Sequence, residues 1–431
     1  MDPAIITLCV LAVAAFLFVT ELIPLAVTAM AACTMLGILG VLPSKAVYAG
    51  LSNSTVVLFG GMFVIGAAMF KTGLAEAIGI AVVKKAGTNE LPLMAAIMIV
   101  TCVLSSVSSN TGTVACLMPV IIGICQAAKI PASKQLMPLA IAANVGGTIT
   151  MIGTPPNVIV TGALAAAGLP TFGFFEFAAI GIPLSLVITL YTLFIGRHMI
   201  AAKSAGAMDE EALKAAKEEA GASDDDAPKS KTKMWISGLI LIGVVLCMAL
   251  DLKTVPLHTA AVTGAILCVI TGCLKEKEAY AGIDWVTIFL FAGMLSVATA
   301  MDKTGAGKMI ADFVVGLMGE NPNPYVLTAV LFLISNVLTQ FMSNTASAAL
   351  LAPIGISIAQ SIGCDPKPVL MALGIAASCA FATPMATPPN TLVLGPGGFS
   401  FNDYAKVGVP MCVISLIVCL VVIPIVWPFG M

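Results

Sequence analysis

Charged residues are scarce in this sequence. Of its 431 residues, 20 are Lys or Arg and 22 are Asp or Glu, whereas 59% of the chain is hydrophobic. A soluble domain carries roughly 25% charged residues, so these charges cannot cover a globule of this size in water. The scarcity excludes a cytosolic enzyme and a secreted domain. A net charge of −2 also argues against a nucleic-acid partner, because phosphates require a basic face.

Reactive side chains and metal ligands are few as well. Histidine occurs only at His198 and His258, without an HExxH pattern, and the twelve cysteines stand singly, without a CxxC pair. These spacings give no zinc site and no nucleophile with a neighbouring base. The sequence therefore predicts a protein that is not an enzyme and that has no cofactor. What remains is a multi-pass membrane protein in the lipid bilayer.

Long runs of uncharged residues indicate which parts of the chain cross the membrane. A spanning helix needs about 20 apolar residues, and four runs are too long for one crossing: 91–128, 135–175, 321–364 and 368–402. Each is interrupted by polar or helix-breaking residues, at 105–112, 153–157, 342–345 and 386–390. Irregular backbone at membrane depth is tolerated only where protein buries it or where it lines a cavity. The four breaks are therefore predicted to form a site.

The sequence is duplicated. Residues 45–73 align with 277–305, Ser-Asn-Thr occurs at 109–111 and 343–345, and Thr-Pro-Pro-Asn occurs at 154–157 and 387–390. We divide the chain into an N-terminal span (1–21), a first repeat (22–196), a charged hydrophilic linker (197–233) and a second repeat (234–431). Duplicated halves with matching broken segments are typical of secondary transporters whose site lies between the repeats.

The chemistry of the breaks favours two ligands of opposite charge. The four motifs contain no Asp, Glu, Lys, Arg or His, but they offer hydroxyls, carboxamides and the ends of broken helices. Carbonyl and hydroxyl oxygens suit a small cation, and helix N-termini suit an anion. Sodium fits better than a proton, because the acidic residues of the apolar regions lie near the ends of runs. These are Glu21, Asp251, Asp284, Asp302 and Asp312.

At these motifs the chain resembles a known family. Residues 20–29, TELIPLAVTA, are similar to the first-repeat signature of the divalent anion/sodium symporters, the SLC13-like carriers of the ion transporter superfamily. The paired Ser-Asn-Thr and Thr-Pro-Pro motifs are similar to that family's transport-site motifs. The resemblance implies an all-α polytopic membrane protein of two inverted repeats, each with a re-entrant helical hairpin and a broken transmembrane helix. It also implies a homodimer and an elevator-type mechanism.

The resemblance further implies a residue-by-residue site. The first sodium site would comprise Ser105, Ser109, Asn110 and Gly153, and the second Thr339, Met342, Asn344 and Ala386. The anionic substrate would meet Asn110, Thr111, Asn344 and Thr345, with Thr154, Pro155, Thr387 and Pro388 lining the pocket.

The expected function is sodium-coupled transport of a small divalent organic anion, a C4 dicarboxylate being favoured, across the plasma membrane of a prokaryote. Several alternatives stay open: citrate or sulfate as substrate, sodium-independent anion exchange, a sodium/proton antiporter, or an arsenite-type permease.

Overall fold

The computed structural model describes residues 2–430 except 88, 204–210, 212–213, 215–229, 251–253 and 319–322. Within these residues all regular structure is helical, and eight helices are long and apolar enough to cross a membrane. The prediction of an all-α polytopic protein is confirmed. Most of the linker predicted at 197–233 lies outside the described residues.

The first half of the described chain contains nine helices that we number. They are α1 Pro3–Thr20, α2 Leu25–Ile38, α3 Ser54–Lys71, α4 Leu74–Ala86, α5 Glu90–Val107, α6 Asn110–Ala128, α7 Ser133–Gly146, α8 Pro155–Ala166 and α9 Ala178–Met199. Short helical turns at Ser44–Val47 and Ala49–Ser52 connect α2 to α3.

The second half repeats this order over the residues that the structure describes. Its helices are α10 Lys231–Ala249, α11 Leu257–Ile270, α12 Trp285–Thr304, α13 Ala306–Met318, α14 Pro324–Thr339, α15 Asn344–Ser361, α16 Pro366–Ser378, α17 Pro388–Leu394 and α18 Phe401–Val426. Each helix of the first half thus has a counterpart nine numbers later. The division of the chain at 1–21, 22–196, 197–233 and 234–431 stays a prediction.

Local capping fixes several helix starts. Asp2 Oδ1 accepts a hydrogen bond from Ala4 N over 2.9 Å, and Pro3 occupies the first position of α1. Asn53 Oδ1 accepts from Thr55 N over 2.8 Å at the start of α3, and Asp284 Oδ1 accepts from Thr287 N over 3.0 Å at the start of α12. Such side chains satisfy amide groups that have no partner within the helix.

The four overlong runs are each split in two. The runs 91–128 and 321–364 form the helical pairs α5–α6 and α14–α15, which break at the Ser-Asn-Thr motifs. The runs 135–175 and 368–402 form α7–α8 and α16–α17, which break just before Thr-Pro-Pro-Asn. A proline at the first helical position starts α8 and α17 because it lacks the amide hydrogen that would have no partner there.

The two halves pack reciprocally. Helix α2 packs against α12 and α3 against α11, while α8 packs against α16 and α7 against α17. Exchanging each helix for its counterpart leaves these contacts unchanged, as a two-fold pseudosymmetric arrangement of the halves requires. Helix α17 also contacts α6, and α8 contacts α15. The packing therefore brings all four breaks close together.

Candidate functional site

The two Ser-Asn-Thr motifs lie at the starts of α6 and α15. Ser109 and Ser343 occupy the capping positions, and Asn110 and Asn344 are the first helical residues. Ser109 Oγ accepts a hydrogen bond from Gly112 N over 3.3 Å. The first amides of each helix have no intrahelical acceptor and carry the positive end of the helix dipole. Two partly positive helix ends thus stand beside the carboxamides and hydroxyls of the motifs.

The asparagines of the two Thr-Pro-Pro-Asn motifs hold the broken backbone in shape. Asn157 Nδ2 donates to Thr150 O over 2.8 Å and to Gly147 O over 3.4 Å. Asn390 Nδ2 donates in the same way to Thr383 O and Ala380 O, both over 2.9 Å. Buried carbonyls without such partners would be costly. The last residue of each motif therefore stabilises the irregular segment that precedes it.

Threonines tie these irregular segments to the helical pairs. Thr150 Oγ1 donates to Ser106 O, and Thr383 Oγ1 donates to Gln340 O, each over 2.5 Å. The two bonds are counterparts in the two repeats. Each Thr-Pro-Pro-Asn break is thereby fixed beside the Ser-Asn-Thr break of its own half.

A cavity of 310 Å³ lies where the breaks meet. Seven of the eight predicted substrate residues line it: Asn110, Thr111, Pro155, Asn344, Thr345, Thr387 and Pro388. Thr154, the eighth, is buried behind the lining and receives a hydrogen bond from Ser378 Oγ over 3.5 Å. Four of the predicted sodium residues, Ser109, Asn110, Gly153 and Asn344, also line the cavity. Their binding roles stay predictions, but the fold brings them together.

The predicted first sodium site is a compact group of oxygen atoms. Ser105 Oγ donates to Ala143 O over 2.8 Å and lies 2.5 Å from the Asn110 amide. That amide lies 3.2 Å from Ala143 O and 3.0 Å from Gly153 O. With its nitrogen toward these atoms Asn110 donates hydrogen bonds; with its oxygen toward them it completes a set of hydroxyl, carboxamide and carbonyl oxygens. Hard oxygen ligands of this kind suit an alkali or alkaline-earth cation.

Two glycines make room for this oxygen group. A Cβ on Gly147 would lie 2.8 Å from Asn110 Oδ1 and 2.9 Å from Gly153 O, and a Cβ on Gly153 would collide with Gly147 O. The counterparts in the second repeat are Ala380 and Ala386. The two repeats therefore differ at the positions that govern how closely the oxygens can approach.

The predicted second sodium site is assembled less tightly. Thr339 Oγ1 donates to Ala377 O over 2.8 Å, as Ser105 does to Ala143. Asn344 Oδ1 accepts instead from Thr345 Oγ1 over 3.2 Å. Met342 and Ala386 are buried, and no hydrogen bond in the described part of the chain joins Asn344 to Thr339.

The sequence analysis did not predict Asn144, Asp284 and Thr287, three polar residues that line the cavity. Asn144 of α7 lines the cavity, and its Nδ2 donates to Thr387 Oγ1 over 3.1 Å and to Asn390 Oδ1 over 3.0 Å. Asp284, which the sequence places at the end of an apolar run, also lines the cavity, together with Thr287. A signal for Asn144 existed, because repeat alignment sets it opposite Ser378, another polar residue in an apolar helix.

The remaining wall of the cavity is apolar and belongs largely to α3. It includes Phe59, Met62, Phe63, Gly66, Ala67 and Phe70, which recur at the three- and four-residue spacing of one helix face. The counterpart of Phe59 in α12 is Phe291, which packs against Gly162 of α8 and does not line the cavity. This face of α3 therefore lines the cavity and the equivalent face of α12 does not, although Val286, Thr287 and Leu290 near the start of α12 do.

Sequence comparison places the chain among known transporters. The family model described as CitMHS, citrate transporter, matches residues 15–366. The chain belongs to this family. An uncharacterized transporter of Haemophilus influenzae is 30% identical, with 95% of this chain and 89% of that protein covered. The sodium-dependent dicarboxylate transporter SdcS of Staphylococcus saprophyticus is 27% identical, with 94% and 83% covered.

A solved structure shares the fold. The YdaH transporter of Alcanivorax borkumensis superposes with a TM-score of 0.65 over 100% of both chains, at 14% sequence identity. Together with the eight apolar helices, these relatives confirm a multi-pass membrane protein with the fold and family of transporters. The resemblance to the divalent anion/sodium symporters is likewise confirmed at the level of the family.

Proposed function

We propose that this protein is a secondary active transporter that moves a small divalent organic anion across the plasma membrane of a prokaryote, coupled to sodium. A C4 dicarboxylate is the favoured substrate. The name of the SdcS relative, a sodium-dependent dicarboxylate transporter, supports this choice. The description of the matching family as citrate transporters supports citrate as the second candidate.

The observation that carries the proposal is that Asn110 belongs both to the predicted first sodium site and to the lining of the cavity. Its side chain belongs to the oxygen group of Ser105, Ala143 and Gly153, and the same residue lines the cavity. A sodium ion in the oxygen group would place a positive charge at the edge of the cavity, where it attracts a dianion through a medium of low dielectric constant. Binding of one ion then strengthens binding of the other by the same factor.

The cavity can stabilise an anion without a basic side chain. In the described part of the chain no Lys, Arg or His lines it. The starts of α6 and α15 supply free amides and positive dipole ends, and the starts of α8 and α17 lie beside them. Thr111, Thr345 and Thr387 add hydroxyl donors. Neutral donors leave the cation as the main positive charge, which is why anion binding should depend on sodium.

We further propose an elevator-type alternating-access mechanism between two inverted repeats in a homodimer. Reciprocal packing of the halves supports a second arrangement in which the roles of α3 and α12 are exchanged. One face of α3 lines the cavity, while Phe291 of α12 is packed against α8. Exchanging these two relationships would open the site beside α12 and present it to the other side of the membrane.

Uptake into proteoliposomes tests the proposal. Labelled succinate would be supplied with an inward sodium gradient or an equal potassium gradient, with unlabelled citrate and sulfate as competitors. We expect uptake that requires sodium and that citrate and sulfate inhibit only weakly. Equal uptake in both cations would instead indicate a sodium-independent exchanger. Absence of succinate uptake, with citrate or sulfate transported, would correct the substrate.

Variants of the two asparagines test the site. Asn110→Ala removes a cation ligand and a substrate contact together, so the sodium concentration for half-maximal uptake should rise. Asn344→Ala should do the same at the second site. Asn323→Ala is a matched control, because Asn323 caps α14 away from the cavity. Sodium dependence that is unchanged in Asn110→Ala would contradict the proposed coupling.

Two further outcomes would favour the alternative transporter classes. A proton gradient that replaced sodium would favour the sodium/proton antiporter, and transport of arsenite would favour the arsenite-type permease.

A further inference from the structure

Asp284 is the one charged residue among the described residues that line the cavity. We propose that this carboxylate selects substrates by their charge and disfavours an ionised tricarboxylate relative to a dicarboxylate. The inference rests on the proposed function and deepens it, because it assigns the choice between citrate and succinate to a single side chain. Nothing in the Ser-Asn-Thr or Thr-Pro-Pro-Asn motifs makes that distinction.

The position of Asp284 is well defined. It is half-buried at the start of α12, where Oδ1 accepts from Thr287 N over 3.0 Å and Oδ2 accepts from Thr287 Oγ1. Gly282 and Thr287 line the same part of the cavity. The carboxylate is therefore held in place by its own helix and does not swing freely into the membrane interface.

The negative charge of Asp284 is not balanced by an ion pair. Within the described residues no basic group lies within ion-pair distance of it. Lys71, which follows the cavity-lining Phe70, pairs with Glu278 over 3.3 Å. A substrate anion in the cavity thus meets a fixed negative charge that adjacent cations do not neutralise.

Capping alone does not require this charge. Helix α3, the counterpart of α12, is capped by the neutral Asn53, whose Oδ1 accepts from Thr55 N, the amide aligned with Thr287 N. At the position aligned with Asp284 the first repeat carries Ser52, which does not line the cavity. Of the two aligned positions, only the one that lines the cavity carries a negative charge. Because a neutral residue can cap the helix, the charge of Asp284 is separable from its capping role.

Repulsion by a fixed charge scales with the charge of the substrate. Removing one negative charge from the cavity should improve the binding of a monoanion by some factor, of a dianion by its square and of a trianion by its cube. Allowing for screening by water and salt, we expect a factor of at least about three for each substrate charge. Citrate should therefore gain about threefold relative to succinate.

The experiment compares three anions in proteoliposomes that contain the purified protein. Inhibition of labelled succinate uptake would be measured with succinate, its monomethyl ester and citrate, at about pH 8, where the three carry different charges. The test variant is Asp284→Asn, which keeps the cap. Asp284→Glu retains the charge, and Asp302→Asn removes an exposed charge at the other end of the same helix. We expect the gain in Asp284→Asn to rise with substrate charge and Asp302→Asn to behave like the wild type. Asp284→Glu should show no gain that rises with substrate charge.

The outcomes separate this inference from the proposed function. Equal gains for all three anions would indicate a structural effect and overturn the charge assignment. Unchanged inhibition constants in Asp284→Asn would overturn it as well. A wild-type protein that neither transports nor binds any of the three anions would instead overturn the proposed function, and this inference with it.

Discussion

Asn144 and Asn390 join the two repeats across the site. Asn144 Nδ2 donates to Asn390 Oδ1 over 3.0 Å, and the same group reaches Thr387 Oγ1 over 3.1 Å. The reciprocal position is occupied by Ser378, whose Oγ reaches Thr154 Oγ1 only at 3.5 Å. Asn157 Oδ1, the counterpart of Asn390 Oδ1, is buried without a hydrogen-bond partner. At these two equivalent positions the contacts between the halves are thus unequal: Asn144 forms the shorter hydrogen bonds and Ser378 the longer one.

Removal of the stronger link should destabilise the protein. Asn144→Ala leaves the buried Asn390 Oδ1 without its donor, which costs about 1–3 kcal/mol. We expect a lower unfolding temperature for the purified protein in detergent and reduced uptake. Asn144→Ser, which copies the other repeat, should be milder. Ser378→Ala serves as the control, and equal stability of the two alanine variants would argue that the 3.0 Å bond contributes nothing.

Much of the fold could be predicted because its signals are local. The overlong apolar runs and their polar breaks are visible in short windows of sequence, and the nearly constant offset between repeats pairs each break with its counterpart. Proline at the start of α8 and α17 marks the helix start directly. The convergence of the breaks follows from duplication, since repeats that pack reciprocally bring equivalent segments together.

The missed residues depend on tertiary packing. The end of an apolar run can face lipid headgroups or a cavity, and the neighbours of α12 decide which applies to Asp284. The close spacing of the oxygen atoms in the predicted first sodium site depends on the close approach of Gly147 to Gly153. Gly147 lies seven positions before the start of the first Thr-Pro-Pro-Asn motif. Neither relationship has a periodic or compositional signature, so the sequence alone could not rank the first cation site above the second.

A methyl group at Gly147 should disturb the first cation site. In Gly147→Ala the new Cβ would lie 2.8 Å from Asn110 Oδ1, closer than side chains normally approach, so the oxygen group must open. We expect the sodium concentration for half-maximal uptake to rise at least about tenfold, as a loss of about 1.4 kcal/mol in binding implies. Gly60→Ala, where a Cβ meets nothing within 4 Å, is the control. Normal sodium dependence in Gly147→Ala would place the cation elsewhere.

A bulky side chain at Gly66 should block the cavity. Gly66 lines it from α3, and a Cβ there has no neighbour within 4 Å. In Gly66→Phe the ring would occupy space that the substrate needs, while backbone packing is undisturbed. Uptake should fall at least about tenfold with little change in unfolding temperature. Gly60→Phe, on the same helix but outside the lining, should transport normally. Full activity of Gly66→Phe would show that the substrate does not use this cavity.

The ion pair of Glu176 should make stability depend on pH. Glu176 Oε1 lies 2.7 Å from Lys367 Nζ and accepts from Trp427 Nε1 over 2.5 Å. Burial raises the pKa of Glu176, but Lys367 and the hydrogen bonds outweigh burial and hold the pKa below its ordinary value. A lowered pKa in the folded state stabilises the protein above the unfolded value of about 4.3, and this contribution is lost as the pH falls through the folded-state pKa.

Glu176→Gln should therefore lower the unfolding temperature at neutral pH and approach the wild type in acid. Because the pair is partly exposed to solvent, screening limits its worth to less than about 1 kcal/mol, so the shift should be small. Thermal unfolding of both proteins between about pH 3 and pH 7 measures it. Glu276→Gln, at an exposed glutamate in a short helical turn, should show no such convergence. A difference between Glu176→Gln and the wild type that stayed constant down to the lowest pH would mean that packing around Trp427, and not the charge of Glu176, stabilises this end of the molecule.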